Sequence, residues 1–167
     1  MKVALDSSAI ILLAKADILR QACSIANLET TEEVKAEVMQ GLKKSKKDAL
    51  YLQELAKEGK IKIVKIESRL TEKFKKDFNL GPGEASIIAL SIKQKIPMTT
   101  DDNKARKIGK ILGLQVLSSL NFPVILYRKK KISYEKAKAA LSVMEREGWF
   151  GEDVIREAFN NLKEETR

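Results

Sequence analysis

The chain has 167 residues, with 32 Lys and Arg against 23 Asp and Glu for a net charge of +9, and hydrophobic residues make up 44%. That length and balance suit one compact soluble domain with a sizeable core, and they exclude a disordered tail. Histidine is absent and Cys23 is the single cysteine. Ser-His-Asp and Cys-His catalysis, His-containing zinc sites and an internal disulfide are therefore excluded.

In chain order, Lys2 to Leu5 predicts a short strand running into Asp6-Ser7-Ser8, and Ala9 to Ala14 a buried helix capped by Ser7 or Ser8. A helix over Asp17 to Ile25 and a short strand at Asn27 to Glu29 follow. Thr30 with Glu33 is a capping-box pattern for a helix reaching Gly41, with Val34, Val38 and Leu42 as its apolar stripe. Ser45 to Glu58 reads as an amphipathic helix closed by Gly59, Lys60 to Ile66 as a strand, and Arg69 to Asn79 as a charged helix. Leu80-Gly81-Pro82-Gly83 is a turn. Glu84 to Lys95 (helix), Pro97 to Thr100 (strand), Asp102 to Leu112 (helix) and Leu114 to Leu117 (strand) come next. The remainder is helical: Ser119 to Lys129, Ser133 to Glu147 and Glu152 to Leu162.

Strands alternating with helices imply a parallel sheet with right-handed crossovers. The expected fold is a three-layer α/β/α sandwich on a small parallel sheet. One domain spans 1–167, with a core over about 1–118 and a helical extension over about 119–167. No apolar run approaches the ~20 residues that span a bilayer. The N-terminal pattern, one Lys and a short run broken by Asp6, does not fit a signal peptide. The single cysteine fits a reducing compartment, so a cytoplasmic location is expected. The excess of cations points to a polyanionic partner such as nucleic acid, or to a thermophile's Lys- and Glu-rich surface.

With no histidine, chemistry must run on carboxylates, hydroxyls, lysines or arginines, and an all-oxygen metal site favours Mg²⁺ or Mn²⁺. In open α/β sheets ligands bind at the carboxyl ends of strands, at a topological switch point. Asp6 follows the first strand, and Asp101 and Asp102 follow the Pro97–Thr100 strand. If those strands are near neighbours, three carboxylates share one edge. Each acid alone also fits an ordinary helix cap. Glu84 lies four residues before Ile88 and eight before Ile92, on the apolar stripe, where a carboxylate needs a partner, a proton or a metal. Its alternative is a first-turn Glu reaching solvent beside Gly83. Glu37 flanks the Val34/Val38/Leu42 stripe and is the best placed of Glu32, Glu33 and Glu37.

Four segments occur in order: Leu5-Asp6-Ser7-Ser8, Val34 to Val38 around Glu37, Gly81-Pro82-Gly83-Glu84-Ala85-Ser86-Ile87-Ile88-Ala89-Leu90, and Thr99 to Arg106. With Leu112-Gly113-Leu114-Gln115-Val116, and a C-terminal pattern from Lys130 to Phe150, this set resembles a PIN domain of the VapC-like kind, as in short prokaryotic and archaeal-type PIN proteins. The resemblance covers nearly the whole chain. It implies a metal-dependent endoribonuclease with Mg²⁺ or Mn²⁺ held by clustered acids.

Carried over by position, the catalytic acids are Asp6, Glu37, Glu84 and Asp101, and the metal ligands are Asp6, Glu84, Asp101 and Asp102. Asp101 is favoured over Asp102 because it directly follows the strand. Ser7, Ser8 and Thr100 take supporting places. The family often has an aspartate where Glu84 stands. The resemblance further implies the toxin half of a toxin–antitoxin pair, an antitoxin partner and a homodimer. Lys104, Arg106 and Lys107 behind the acidic pair are candidates for steering RNA, as are the Lys43, Lys44, Lys46, Lys47 run and Arg128 to Lys131. Each such run also fits a solvated face. A non-catalytic nucleic-acid-binding module is the alternative. A phosphohydrolase ranks third, since position 8 is Ser8 where the DxDx[T/V] pattern needs an acid.

Overall fold

The computed structural model describes residues 1–40 and 46–165, and the side chains of 1–40 and 49–165. Gly41, Leu42, Lys43, Lys44 and Ser45, which the sequence reading used for a helix end, an apolar stripe, a cation run and a helix start, lie outside the described residues. So do the side chains of Lys46 and Lys47.

The order of elements is β1 (Lys2–Leu5), α1 (Ser7–Lys15), α2 (Leu19–Ala22), β2 (Asn27–Thr31), α3 (Glu32–Gln40), α4 (Lys46–Lys57), β3 (Ile61–Val64) and α5 (Ser68–Phe78). It continues with α6 (Pro82–Gln94), β4 (Met98–Thr99), α7 (Asn103–Ile111), β5 (Val116–Leu117), α8 (Asn121–Arg128), α9 (Tyr134–Glu147) and α10 (Glu152–Glu164). The strands form one five-stranded sheet in the order β3-β2-β1-β4-β5, and every pairing is parallel. Helices cover both faces, giving the expected α/β/α sandwich with further helices at the C-terminal end.

The strand order sets where a crevice opens. From β1 the chain steps outward to β2 and β3, then returns to the other side of β1 for β4 and β5. Right-handed crossovers put helices of the two halves on opposite faces, so the connections leaving β1 and β4 diverge at their carboxyl ends. β1 and β4 are neighbours, with Leu5 opposite Thr99. The inner strands are apolar because both faces are covered: Val3, Ala4, Leu5, Leu28 and Met98 are all buried.

α6 lies across β2, β1 and β4, with α5 and α7 beside it. All residues from Ala85 to Ser91 are buried, so this helix is enclosed on every side. Pro82 at its first position has no backbone N–H to leave unsatisfied. On the other face α4 packs on α1, and α9 also meets α1. α3 follows directly on β2 and touches both α1 and α6.

Several local expectations are corrected. The cap of α1 is Asp6 itself, whose side chain accepts from the Ala9 N–H, and not Ser7 or Ser8. The helix expected over Asp17 to Ile25 is the single turn α2: Asp17 takes a left-handed φ of 54° that keeps the helix from starting there, and turn residues follow from Cys23. The Thr30–Glu33 capping box does not form. Thr30 stays in β2 and donates to the Leu5 carbonyl, while Thr31 Oγ1 accepts from Val34 N–H. β2 is thus two residues longer than its apolar pattern suggested, since Thr30 and Thr31 find partners inside the sheet.

Candidate active site

Each carboxylate at the crevice is held by groups whose positions the fold dictates. Asp6 ends β1 and is almost fully buried, at 3% exposure. Its Oδ1 accepts from Ala9 N–H and from Ser8 Oγ, both at 2.8 Å. The Thr100 hydroxyl also bonds to it. Ser8 Oγ in turn accepts from the Asp101 N–H at 3.1 Å, so the ends of β1 and β4 are tied through one hydroxyl. Burial pushes the Asp6 carboxyl up to about 7. The bonds from Thr100, Ala9 and Ser8 oppose that rise, and the nearby Asp101 charge adds to it.

Asp101 and Asp102 have unequal roles. Asp102 is the N-cap of α7, its Oδ1 accepting from Ala105 N–H at 2.7 Å. Asp101 Oδ1 accepts from Ser118 Oγ at 2.7 Å and Ser119 N–H at 3.0 Å. Its Oδ2 is buried with no hydrogen-bond partner. Ser118 and Ser119 did not figure in the sequence reading, although they follow β5 as Asp101 follows β4. The strand-end rule that picked out Asp101 also picks them out.

Glu37 reaches across from α3. Its Oε2 accepts from Ser7 Oγ at 2.9 Å and its Oε1 from Gly83 N–H at 2.8 Å. A Cβ at Gly83 would lie 2.3 Å from Glu37 Oε2, so the carboxylate occupies the space that any other residue would fill. Glu84 turns back along its own helix, and its Oε2 accepts from Gly81 N–H at 2.9 Å. It is a half-buried first-turn cap of α6, not a carboxylate buried on the apolar stripe.

Asp6, Glu84 and Asp102 thus cap α1, α6 and α7. The partial positive charge at helix N-termini offsets part of the repulsion among these acids. The three cations behind the acidic pair diverge. Lys104 Nζ donates to the Asn79 carbonyl, Arg106 lines a groove beside β5, and Lys107 is exposed.

A family model describing a PIN domain matches residues 2–164. The chain belongs to the PIN-domain family. Among curated proteins, none matches it. PIN domains are typically nucleases that act on nucleic acids with divalent metal ions. Among the described residues, no set of three Asp, Glu, His or Cys side chains closes into a group that would hold such an ion. What this PIN domain does bring together is the Asp6–Asp101 pair. Its donors are all oxygen, Asp101 Oδ2 lacks a partner, and Asp6 is held partly protonated by burial and a like charge. A hard divalent cation fits those needs. Glu37 and Glu84 are each bound to a backbone N–H.

Two predictions follow from this geometry. Gly83→Ala is expected to lower stability by ~1–3 kcal/mol through overpacking against the Glu37 carboxylate. In a Glu37→Ala background the same change should cost much less; denaturant melts of the four proteins measure the coupling, and equal costs would contradict the contact. Asp6 provides a pH signature in metal-free protein. The unfolded chain releases this proton near 3.8, the folded protein near 7, so the folded state holds more protons between those values. Stability therefore falls as pH rises through that window, by up to about 4 kcal/mol, and is flat above it. Asp6→Asn should remove this slope and be more stable than wild type at pH 8, as measured by urea melts from pH 4 to 8.

Proposed function

We propose that this PIN domain is a metal-dependent endoribonuclease of the VapC-like kind, using Mg²⁺ or Mn²⁺ and cleaving RNA phosphodiester bonds. The observation that carries the reading is the Asp6–Asp101 pair at the β1/β4 switch point, one buried acid near neutral pKa beside another with an unpartnered oxygen. A divalent ion bound there supplies acidification of water and positive charge against the phosphate oxygens.

The chain's own residues prepare that chemistry. Ser118 Oγ and the Ser119 N–H fix Asp101 Oδ1, which leaves Oδ2 as the free donor. Ser8 and the Ala9 N–H fix Asp6 Oδ1 in the same way. Glu37, locked between Ser7 and Gly83, adds a fixed negative charge at the wall of the crevice. Asp102 and Glu84 keep the N-terminal turns of α7 and α6 in place, and Thr100 bonds both Asp6 and the Asp102 N–H. Asp101 is the principal ligand in this reading and Asp102 its support. Among the cations, exposed Lys107 is free to meet a phosphate backbone.

The resemblance to VapC-like proteins extends the proposal to the toxin half of a toxin–antitoxin pair that works as a homodimer. The test of the activity is cleavage of a fluorogenic single-stranded RNA with Mn²⁺. Asp6→Asn and Asp101→Asn are each expected to reduce cleavage to the no-enzyme background while the proteins stay folded by circular dichroism. Undiminished cleavage by either variant would overturn the assignment, and salt-dependent RNA binding without scission by wild type would favour a binding module.

A further inference from the structure

A groove of about 570 Å³ runs beside β5, between α7 on one wall and α10 on the other. Its lining is mixed in polarity, and Leu117, Leu120, Val124, Val154 and Ala158 are the apolar part of its floor and walls. Arg106 and Lys110 come from the α7 wall, and Glu157 and Glu164 from the α10 wall. Among the described residues none of these four charges belongs to an ion pair, so the walls face each other with opposite and unmet charge. Arg106 Nε is buried there without a partner. Arg128 and Glu165, also in the lining, neutralise each other at 2.6 Å.

The groove also has a free sheet edge. β5 is the outermost strand on its side. Met98 N–H donates to the Gln115 carbonyl and Thr100 N–H to the Leu117 carbonyl. In a parallel ladder alternate residues face opposite sides, so the N–H and C=O of Val116 point away from β4, and Val116 lines the groove.

We propose that this groove docks an extended peptide segment of a protein partner, paired to Val116 as an added strand. The segment places apolar side chains on the floor, an acidic residue toward Arg106 and Lys110, and a basic residue toward Glu157 and Glu164. Main-chain pairing gives such a segment affinity, and pockets for alternate side chains give it specificity. A nucleic-acid strand fits worse, because its phosphates match one wall and are repelled by the other. Ser118, which lines the groove, is the residue that donates to Asp101 Oδ1, so the docked segment lies one side chain from the acidic pair. Docking does not depend on the nuclease reading; only an effect on cleavage would.

The probe is a random dodecapeptide library displayed on phage and panned against the full chain. The expected result is enrichment of peptides with one acid and one base separated by alternating apolar residues. The selected peptides, made synthetically, should bind at least ~10-fold more weakly to Val116→Pro, which removes the outward N–H, with circular dichroism checking that the variant stays folded and Val116→Ala, which keeps that N–H, controlling for the lost side chain. The double variant Lys110→Glu with Glu157→Lys should prefer the reversed charge order. Absence of enrichment, or binding to both Val116→Pro and the double variant that matches wild type in strength and charge order, would each overturn the proposal. RNA cleavage by Val116→Pro, measured separately, keeps the fate of the nuclease reading distinct.

Discussion

Everything at the site depends on the parallel pairing of β1 with β4. That contact is short, with only Ala4 opposite Met98 and Leu5 opposite Thr99, yet it fixes the separation of the residues that follow. Asp6 comes directly after the paired segment and Asp101 two residues after it, and Ser8 bridges them by accepting from Asp101 N–H and donating to Asp6. A slip of one residue would turn Leu5 out of the core and redirect Asp6. The buried apolar side chains of β1 hold the register against that slip, since Val3, Ala4 and Leu5 are all enclosed.

The same pairing explains how carboxylates are tolerated so close together. Three helices start around the crevice, and each is capped by one of the acids. Capping satisfies N–H groups that would otherwise be orphaned and places negative charge at the favourable end of each helix. It does not fully neutralise the cluster. Asp6 still sits near a pKa of 7, burial being the larger cause and Asp101 the lesser one. The balance is partial, and negative charge remains concentrated at the crevice.

The layer order and the crevice were legible in the sequence because strand and helix patterns alternate and because Asp6 and Asp101 stand at strand ends. That Asp102 caps α7 was one of the alternatives the sequence offered, since an Asp just before a helix is a natural cap. What escaped were features set by contacts distant in sequence. Glu84 has a position on the apolar stripe, but its side chain is long enough to fold back to Gly81 N–H, which helix periodicity does not register. Glu37 was ambiguous in its own helix and acquires its place from Gly83, 46 positions away. Thr30 and Thr31 looked like a helix start because their partners, the Leu5 carbonyl and Ser86, belong to other elements.

The central claim is that Asp6 and Asp101 together form the divalent-ion site of this PIN domain. Titration of Mn²⁺ at pH 8, followed by the loss of the free-ion signal in electron paramagnetic resonance, tests it without reference to activity. Saturable binding by wild type that is lost in Asp6→Asn and in Asp101→Asn is the predicted result. Binding of unchanged affinity in both variants would contradict the account.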